Sequence, residues 1–414
     1  MNLSLPLPSY RRWLLVGIFS ASALGLGLWM GWFPAYWFAQ PDAGHYLDIA
    51  AARTVMQPFA LRQLSPLVAR WLTHLLHGSL EAGFLAEGIV CLAFFVWSTG
   101  YLLVRSGTPR FVFVAVAASY FWGLQFEALA MPDLLYAALL GGLLLLLERG
   151  QPLAASLLMF PLMVTRESTV LTLACFLVAG WSRLRAREIV AAVGATLAGW
   201  LVVRHLSAGG LPNHEHISAG LYLLAKMPWN FLRHILGVDA WANVYPECGV
   251  PVWQLPIHID RLTAIGSCGF QSWLPARTFA YGLAIFGLLP LLVLHCRWSD
   301  RSNWDLTTRF AILYGGVSFL LAPLLGDSLL RLFGYGWPLF LVGLPILLGT
   351  GGGRFRATWA SWLFLAMHLA LSWSIFWLDR PQLLVAGIVL YAAGWCLLRM
   401  TWETDGDTVP QTSA

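Results

Sequence analysis

Long apolar runs separated by short polar breaks dominate the pattern of this chain. The runs between charged or Pro/Gly-rich breaks predict helical spans near 13–33, 83–104, 110–126, 133–148, 152–165, 168–182, 188–205, 279–296, 307–325, 329–349, 356–377 and 382–399. Because one crossing needs about 20 apolar residues, the pattern predicts an all-α, polytopic bundle of about twelve transmembrane helices. We expect a single integral-membrane domain, 1–414.

The run 152–182 is interrupted by a charged pair at its centre. A single helix would place Arg166 and Glu167 at mid-membrane, while basic and acidic residues at both ends favour the same aqueous side. Two short helices would place both ends on the same side of the membrane. We therefore expect a hairpin with its apex at Thr165-Arg166-Glu167, below the outer membrane surface and shielded by protein or water.

Arginines fix the orientation, because basic residues gather in short cytoplasmic loops. With the N-terminus inside, the short outer loops hold only Arg166, Arg331 and Arg380. The inner loops hold Arg11, Arg12, Arg105, Arg110, Arg149, Arg183, Arg185, Arg187, Arg297, Arg301, Arg309, Arg354, Arg356 and Arg399. This predicts both termini in the cytoplasm, as in a bacterial inner (plasma) membrane protein.

Two outer segments are long, 34–82 and 206–278, and a polar stretch, 400–414, reads as a disordered cytoplasmic tail. In the first, Ser65-Pro66 has the form of an N-cap followed by a first-turn proline. Apolar residues of helical period follow it, which predicts a helix lying in the membrane interface. In the second, Cys248 and Cys268 share an outer loop. The sequence leaves open whether these two residues form a disulfide.

Composition agrees with a membrane protein and excludes several soluble classes. Apolar residues make up 58% of the chain and charged residues 11%, whereas soluble domains carry roughly 25% charge. The net charge of +5 comes from loop arginines, so it does not indicate nucleic-acid binding. The expected surroundings are membrane lipid.

Ionisable residues in or beside a membrane are costly and are therefore candidates for function. Those on the predicted outer face come from segments far apart in the chain. They are Asp42, Asp48, Arg62, Glu127, Asp133, Arg166, Glu167, His214, Glu215, His216, Asp327 and Arg331. Their collection on one face is the strongest functional signal in the sequence.

Each of these residues also has a structural interpretation. Asp42 could cap the helix that follows it. Arg62 could extend to lipid headgroups. Asp327 could cap the helix that contains Arg331 and form an i,i+4 pair with it. Glu127 and Asp133 flank a tight outer turn, and Arg166 and Glu167 could pair with each other. The sequence leaves these alternatives open.

Motifs for metal and nucleotide binding are weak or missing. His214-Glu215-His216 alternates ligand-type side chains without a third partner, and Asp405-Gly406-Asp407 spells a DxD in the polar tail. Neither a Walker loop nor a GxGxxG after a strand occurs. We assign no metal site, and an activated substrate is expected to arrive through the lipid on the outer side.

Several short motifs occur together in a characteristic order between about 30 and 345. They are Asp42 with Tyr46 close behind, Pro58-Phe59, Arg62-Gln63-Leu64-Ser65-Pro66, Arg166-Glu167, and Asp327 followed by Arg331 and Pro338. This ensemble resembles predicted bacterial GT-C-type glycosyltransferases, which are multispan enzymes of cell-surface glycopolymer formation.

The resemblance implies transfer of a sugar from a polyprenyl-phosphate donor to a glycan or lipid-linked acceptor outside the cytoplasm. By position, Asp42 would be the general base, and Arg62 and Arg331 would bind the donor phosphate. Glu127, Asp133, Arg166, Glu167, Asp327 and Tyr46 join them as substrate-binding candidates. Ala43 follows Asp42 where a second acidic residue would support a metal-dependent variant, so a divalent cation is left open but not favoured.

Two other functions compete with this hypothesis. A multispan transporter or lipid flippase would keep its ionisable residues near the bilayer midplane, on broken helices. A non-catalytic partner in a polysaccharide export complex would need no site at all. Charges at the outer edge favour the enzyme.

Overall fold

The structure is a computed structural model that describes residues 9–30, 42–211, 219–241, 251–254, 264–296, 298–326, 328–350, 354–355, 358–373 and 381–403. The chain is predominantly helical, as the apolar pattern predicts. The first half contains α1 Ser9–Met30, α2 Ala43–Ala50, α3 Leu64–Leu76, α4 Leu80–Arg105, α5 Arg110–Ala117, α6 Phe121–Glu127, α7 Pro132–Glu148, α8 Pro152–Leu157, α9 Met159–Thr165, α10 Thr169–Ala179 and α11 Ala186–Leu206.

The second half continues with further helices and a few short strands. They are α12 Ala219–His234, β1 Val238–Trp241, β2 Pro251–Gln254, β3 Ala264–Phe270, α13 Trp273–Ala284, α14 Leu306–Leu325, α15 Leu329–Gly334, α16 Leu344–Thr350, β4 Arg354–Phe355, α17 Trp359–Trp373, α18 Pro381–Thr401 and β5 Trp402–Glu403. Strands β1, β3 and β2 form a small antiparallel sheet, with β3 in the middle. The predicted second outer segment therefore contains strands that its sequence did not indicate.

Four described helical segments are long and apolar enough to cross a membrane: Leu80–Arg105, Ala186–Leu206, Leu306–Leu325 and Leu329–Gly349. These segments indicate a membrane protein. Their surroundings differ, since 89% of the segment Leu329–Gly349 is buried within the protein but only 22% of Ala186–Leu206 is. The segment Leu329–Gly349 therefore lies at the centre of the bundle, whereas most residues of α11 face away from the protein interior.

Several runs that read as one span are broken helices. The run 110–126 divides into α5 and α6, and the Ser119 hydroxyl between them accepts a hydrogen bond from the Phe121 N–H. The run 279–296 ends as an α-helix at Ala284 and continues as a 3₁₀ helix over Leu289–His295. The run 329–349 has a π-helical middle, Pro338–Gly343.

The predicted break in 152–182 is present. Helix α9 ends at Thr165, Arg166 is extended, and α10 begins at Thr169. The backbone of this break supplies two charged side chains, Arg166 and Glu167, to the interior of the bundle.

The first outer segment contains α2 and α3, joined through a 3₁₀ turn at Phe59–Leu61. Ser65 is not the N-cap of α3, because the helix begins at Leu64 and Gln63 occupies the cap position. The Ser65 hydroxyl instead donates a hydrogen bond to buried Glu87 on α4 (3.1 Å). Along α3, the apolar side chains of Leu67, Trp71, Leu75 and Leu76 are exposed; the placement of this helix in the membrane interface stays a prediction.

The aromatic core lies between α4, α6 and the segment that follows α15. Phe95 packs against Trp122 and Trp337, with ring centroids 5.2 and 4.5 Å apart. All three rings are buried. Helix α15, which carries Arg331, packs against α13 and α14.

Candidate functional site

Asp42 and Arg331 form an ion pair across 289 residues of chain, with Arg331 Nη1 2.8 Å from Asp42 Oδ2. Asp42 directly precedes α2, but its side chain accepts no capping hydrogen bond there. The interpretation of its carboxylate as a helix cap is therefore wrong. Both side chains keep 26% of their surface exposed, so the pair is open to a ligand.

Asp133 lies close to three other residues of the site, Arg166, Tyr335 and Arg331. It lies in the first turn of α7, where the helix dipole favours an acidic group. Its carboxylate accepts hydrogen bonds from Arg166 and from the Tyr335 hydroxyl, and Arg331 Nε lies 4.0 Å away. The Arg166 guanidinium also stacks over the Tyr335 ring, 4.7 Å from its centroid. Asp133 is thus more than a residue of a tight turn.

Arg62 and Glu167 form a second, bidentate ion pair, with nitrogen–oxygen distances of 2.6 and 3.1 Å. The remaining terminal nitrogen of Arg62 donates to the Tyr46 hydroxyl (2.7 Å). Arg62 is 6% exposed, so the prediction that it reaches for headgroups is wrong. Arg166 and Glu167 do not pair with each other, because each has a partner on another segment.

The electrostatics of this pair follow from its enclosure. Burial alone would lower the pKa of Arg62 and raise that of Glu167, but their mutual attraction outweighs it. The pKa of Arg62 is raised, and that of Glu167 falls to about 2. Burial raises the pKa of Tyr46 despite the nearby Arg62. Both members of the pair are therefore charged at neutral pH.

Three carboxylates and three arginines lie together as one neutral group, the ion-pair cluster. The Arg62–Glu167 pair adjoins the other contacts because Arg166 and Glu167 are consecutive in the chain. The members of the cluster are Asp42, Asp133, Glu167, Arg62, Arg166 and Arg331, with Tyr46 and Tyr335 as hydroxyl partners. They come from the first outer segment, the start of α7, the break after α9, and α15. Residues hundreds of positions apart in sequence are thus brought into contact.

A cavity of about 260 Å³ adjoins this cluster. Asp133, Arg331 and Tyr335 belong to both, whereas Asp42, Arg62, Arg166 and Glu167 are not among the residues that line it. The polar lining also includes Gln125, Arg277 and Ser328. The apolar walls are formed by Phe121, Leu124, Ala128, Met131, Ala137, Tyr281, Ile285, Leu329, Leu330, Gly334 and Trp337. Such a space suits a ligand with a charged end and an apolar remainder.

Some predicted residues cannot be placed. Asp327, the His214-Glu215-His216 triplet, Cys248 and the Asp405-Gly406-Asp407 tail motif lie outside the described residues, as do the side chains of Glu127, at the end of α6, and Cys268, in β3. Within the described ranges, no group of three or more His, Cys, Asp or Glu side chains could hold a metal ion.

Three functional candidates were missed at the sequence level. Tyr335 lies in Phe333-Gly334-Tyr335-Gly336-Trp337, where an aromatic residue between glycines is a signal that could have been used. Arg277 lies near the end of the second long segment, 206–278, and nothing local distinguishes it. Glu87 is a buried acid in an apolar run, and its isolation there was a usable signal.

Comparison with known proteins found no matching family model, no matching curated protein and no matching solved structure. The geometry of the site is therefore the basis on which a function can be assigned.

Proposed function

We propose that this protein is a membrane glycosyltransferase that moves a sugar from a polyprenyl-phosphate donor to a glycan or lipid-linked acceptor. In this proposal the chain has a GT-C-like bundle of about twelve spans in a bacterial inner membrane. Both termini are cytoplasmic, and the ion-pair cluster faces the outside.

One observation carries the proposal: the Asp42–Arg331 pair lies beside a cavity with apolar walls, and Arg331 also lines that cavity. A carboxylate next to an arginine provides the two groups that sugar transfer from a lipid phosphate needs. The carboxylate accepts a proton, and the arginine stabilises the charge of the departing phosphate.

The oxygen of an acceptor hydroxyl attacks the anomeric carbon and forms the new C–O bond, while its proton passes to the Asp42 carboxylate. The bond from the anomeric carbon to the phosphate oxygen breaks, and its electron pair leaves on polyprenyl phosphate. Arg331 is the ligand of that phosphate, and binding it would draw Arg331 from Asp42 and leave the carboxylate available to the acceptor.

The donor set beside Asp42 does not fit a divalent cation. Its charged neighbour is Arg331, and Ala43 follows it in sequence. A guanidinium bonded to the carboxylate occupies the position in which a cation would need further oxygen ligands. We therefore derive no step through a metal ion.

The proposal predicts that Asp42→Asn abolishes transfer. The amide keeps the shape of the side chain but cannot take up the proton, and loss of a general base costs about 10²–10⁴-fold in rate. The measurement uses membranes from a strain lacking the gene, supplemented with each variant and a panel of labelled polyprenyl-phosphate sugars. Transfer of label to the endogenous acceptor is then counted.

Asp48→Asn is the matched control, because Asp48 lies on α2, just after Asp42, and pairs with exposed Arg53. It should keep full activity. Full activity in Asp42→Asn would remove Asp42 from the mechanism.

A transporter or flippase is the second candidate, and the broken helices at 118–120, 166–168 and 285–288 favour it, since such breaks recur in transporters. Movement of labelled lipid or solute across reconstituted vesicles, with no transfer from any donor, would support this candidate and contradict the enzyme.

A further inference from the structure

Three residues that line the cavity meet at its polar end. Asp133 accepts a hydrogen bond from the Tyr335 hydroxyl, and Arg331 Nε lies 4.0 Å from the same carboxylate. Resting on the proposed function, we infer that Asp133 binds a hydroxyl of the donor sugar, the one at C2, beside the anomeric carbon. The sugar is thus neutral with a free 2-hydroxyl, and Asp133 determines this specificity.

One oxygen of the Asp133 carboxylate is occupied and the other is not. Arg166 and the Tyr335 hydroxyl both donate to Oδ1. Within the described part of the chain, no other residue donates a hydrogen bond to Oδ2, although that atom is buried. A buried acceptor without a donor is unfavourable. A ligand that brings a hydrogen-bond donor to Oδ2 removes this cost and is therefore preferred.

The chemistry of this oxygen selects a hydroxyl. An ionised carboxylate only accepts hydrogen bonds, so it repels a phosphate and attracts a group that carries a proton. Arg166 and Arg331 already place two positive charges beside Asp133, so its charge is balanced without a cationic ligand. A neutral O–H group, of which a sugar has several, meets both conditions.

Arg331 determines which hydroxyl this is. In the proposed function Arg331 holds the phosphate, and its Nε lies 4.0 Å from Asp133 Oδ1. The groups that these two residues bind must therefore be close together on the donor. In a sugar phosphate the 2-hydroxyl is on the carbon next to the anomeric carbon, and the other hydroxyls lie farther from the phosphate. Hydrogen bonds to the 2-hydroxyl also strengthen in the transition state when a glycosidic bond is cleaved.

Donor binding would expose this oxygen and free the base in one movement. Arg331 lies between two carboxylates, since its Nη1 is 2.8 Å from Asp42 Oδ2 and its Nε is 4.0 Å from Asp133 Oδ1. When the phosphate draws Arg331 from Asp42, the guanidinium also moves relative to Asp133, and the 2-hydroxyl binds beside Oδ2. Asp42 then becomes available to the acceptor.

The size and walls of the cavity agree with a sugar ring. Its volume of about 260 Å³ is below the roughly 300–1,000 Å³ of typical ligand pockets, which suits a single ring and not a polyprenyl chain. Phe121, Tyr281 and Trp337 line it with flat apolar surfaces, against which the C–H faces of a sugar ring can pack.

The test measures binding to the purified full chain in lipid nanodiscs, which avoid sugar-based detergents. The probes are citronellyl phosphate, a short soluble analogue of the polyprenyl carrier, and its conjugates with glucose, mannose and galactose. Each conjugate is also made in its 2-deoxy and 6-deoxy form. We expect at least one sugar to bind more tightly than citronellyl phosphate alone. Its 2-deoxy form should bind about tenfold more weakly or worse, because a hydrogen bond to a charged group is lost, and its 6-deoxy form should bind equally well.

Variants assign this discrimination to Asp133. In Asp133→Asn the parent sugar and its 2-deoxy form should bind with equal affinity, and Asp133→Glu, which keeps the charge for Arg166 but displaces it, should discriminate less than the wild type. Asp48→Asn, the same change at an exposed carboxylate, should discriminate fully. A ratio of two affinities in one protein is insensitive to a general loss of binding. If neither Asp133 variant folds, the wild-type ratios decide.

The inference and the proposed function fail differently. Equal wild-type affinities for each sugar and its 2-deoxy form would overturn the inference, as would full discrimination in Asp133→Asn or no gain in affinity from any sugar. Sugar transfer that depends on Asp42 would still support the enzyme in these cases. Discrimination at C2 that depends on Asp133, in a protein without sugar transfer, would retain the sugar site and remove the enzyme.

Discussion

Arg53 and Arg62 lie in the same stretch of chain, and each pairs with a carboxylate. The two pairs contribute differently to stability because they differ in exposure. The side chains of the Arg53–Asp48 pair are 72% and 41% exposed, while those of Arg62–Glu167 are 7% and 20% exposed. Water screens the first pair, so it contributes little. Removing one partner from the second leaves a buried charge without compensation.

At this scale we predict that Glu167→Gln destabilises the protein by about 3–5 kcal/mol, the usual cost of breaking a buried pair. Asp48→Asn should cost less than about 1 kcal/mol. Denaturant unfolding of both variants in the same detergent measures the difference. Equal effects would show that enclosure does not strengthen the Arg62–Glu167 pair.

The low pKa of Glu167 also predicts a dependence of stability on pH. Its pKa falls from 4.5 to about 2 in the folded protein, so its contribution is complete above pH 4.5 and is lost as pH falls toward 2. Wild-type stability should therefore decline over this interval, and Glu167→Gln should decline less. Melting curves between pH 5 and 2 make the comparison; parallel declines would contradict it.

At the scale of elements, close contacts determine where helices pack and where they break. Gly287 adopts a left-handed backbone (φ 55°), and a Cβ there would overlap the ring of His368. One nitrogen of that ring accepts a hydrogen bond from the Leu288 N–H, and the other forms a hydrogen bond with the Ala115 carbonyl oxygen. The break after α13 is therefore tied to both α17 and α5. Gly83 likewise permits a close approach between elements, here of α3 to α4.

We predict that Gly83→Ala loosens α3 from α4, because the added methyl would collide with the Ala69 carbonyl oxygen and the Thr73 hydroxyl. Overpacking of this kind costs about 1–3 kcal/mol. Gly194→Ala on α11 is the control, since a Cβ there meets nothing within 4 Å, and it should leave the melting temperature unchanged or slightly raised. Similar melting temperatures for the two variants would contradict the prediction.

At the scale of the whole molecule, the ion-pair cluster joins the first outer segment to helices from the middle and last third of the chain. Its balanced charges make it tolerable inside an apolar bundle, where an unpaired ion would be very costly. The proposed topology puts this cluster outside, because the arginine-rich loops prefer the cytoplasm.

The topology predicts which end of α4 is accessible from outside. Both Glu81 and Arg110 are exposed, and they lie at opposite ends of this helix and the turn that follows it. In a cysteine-free background, a membrane-impermeant maleimide should label Glu81→Cys on intact cells. Arg110→Cys should be labelled only after permeabilisation. The reverse labelling pattern would show the opposite orientation, with the ion-pair cluster facing the cytoplasm.

The apolar pattern by itself determined that this is a helical membrane protein, and it located the break at Arg166 and Glu167. Those predictions succeed because hydrophobic periodicity and charge act locally along the chain. The same pattern could not show that the run 110–126 is two helices, since that break depends on Ser119 and its surroundings. It also gave no sign of the strands in the second outer segment.

Only the tertiary structure decided which charges meet. Local spacing left open whether Arg166 pairs with Glu167 and whether Asp42 caps a helix. In the structure each carboxylate of the cluster pairs with an arginine on a distant segment. Ion pairs depend on distances between folded elements, which sequence separation does not encode, while the cost of a charge in an apolar run can be read from the run itself. The candidate residues could therefore be named from the sequence, but Arg277 and the partner of each charge could not.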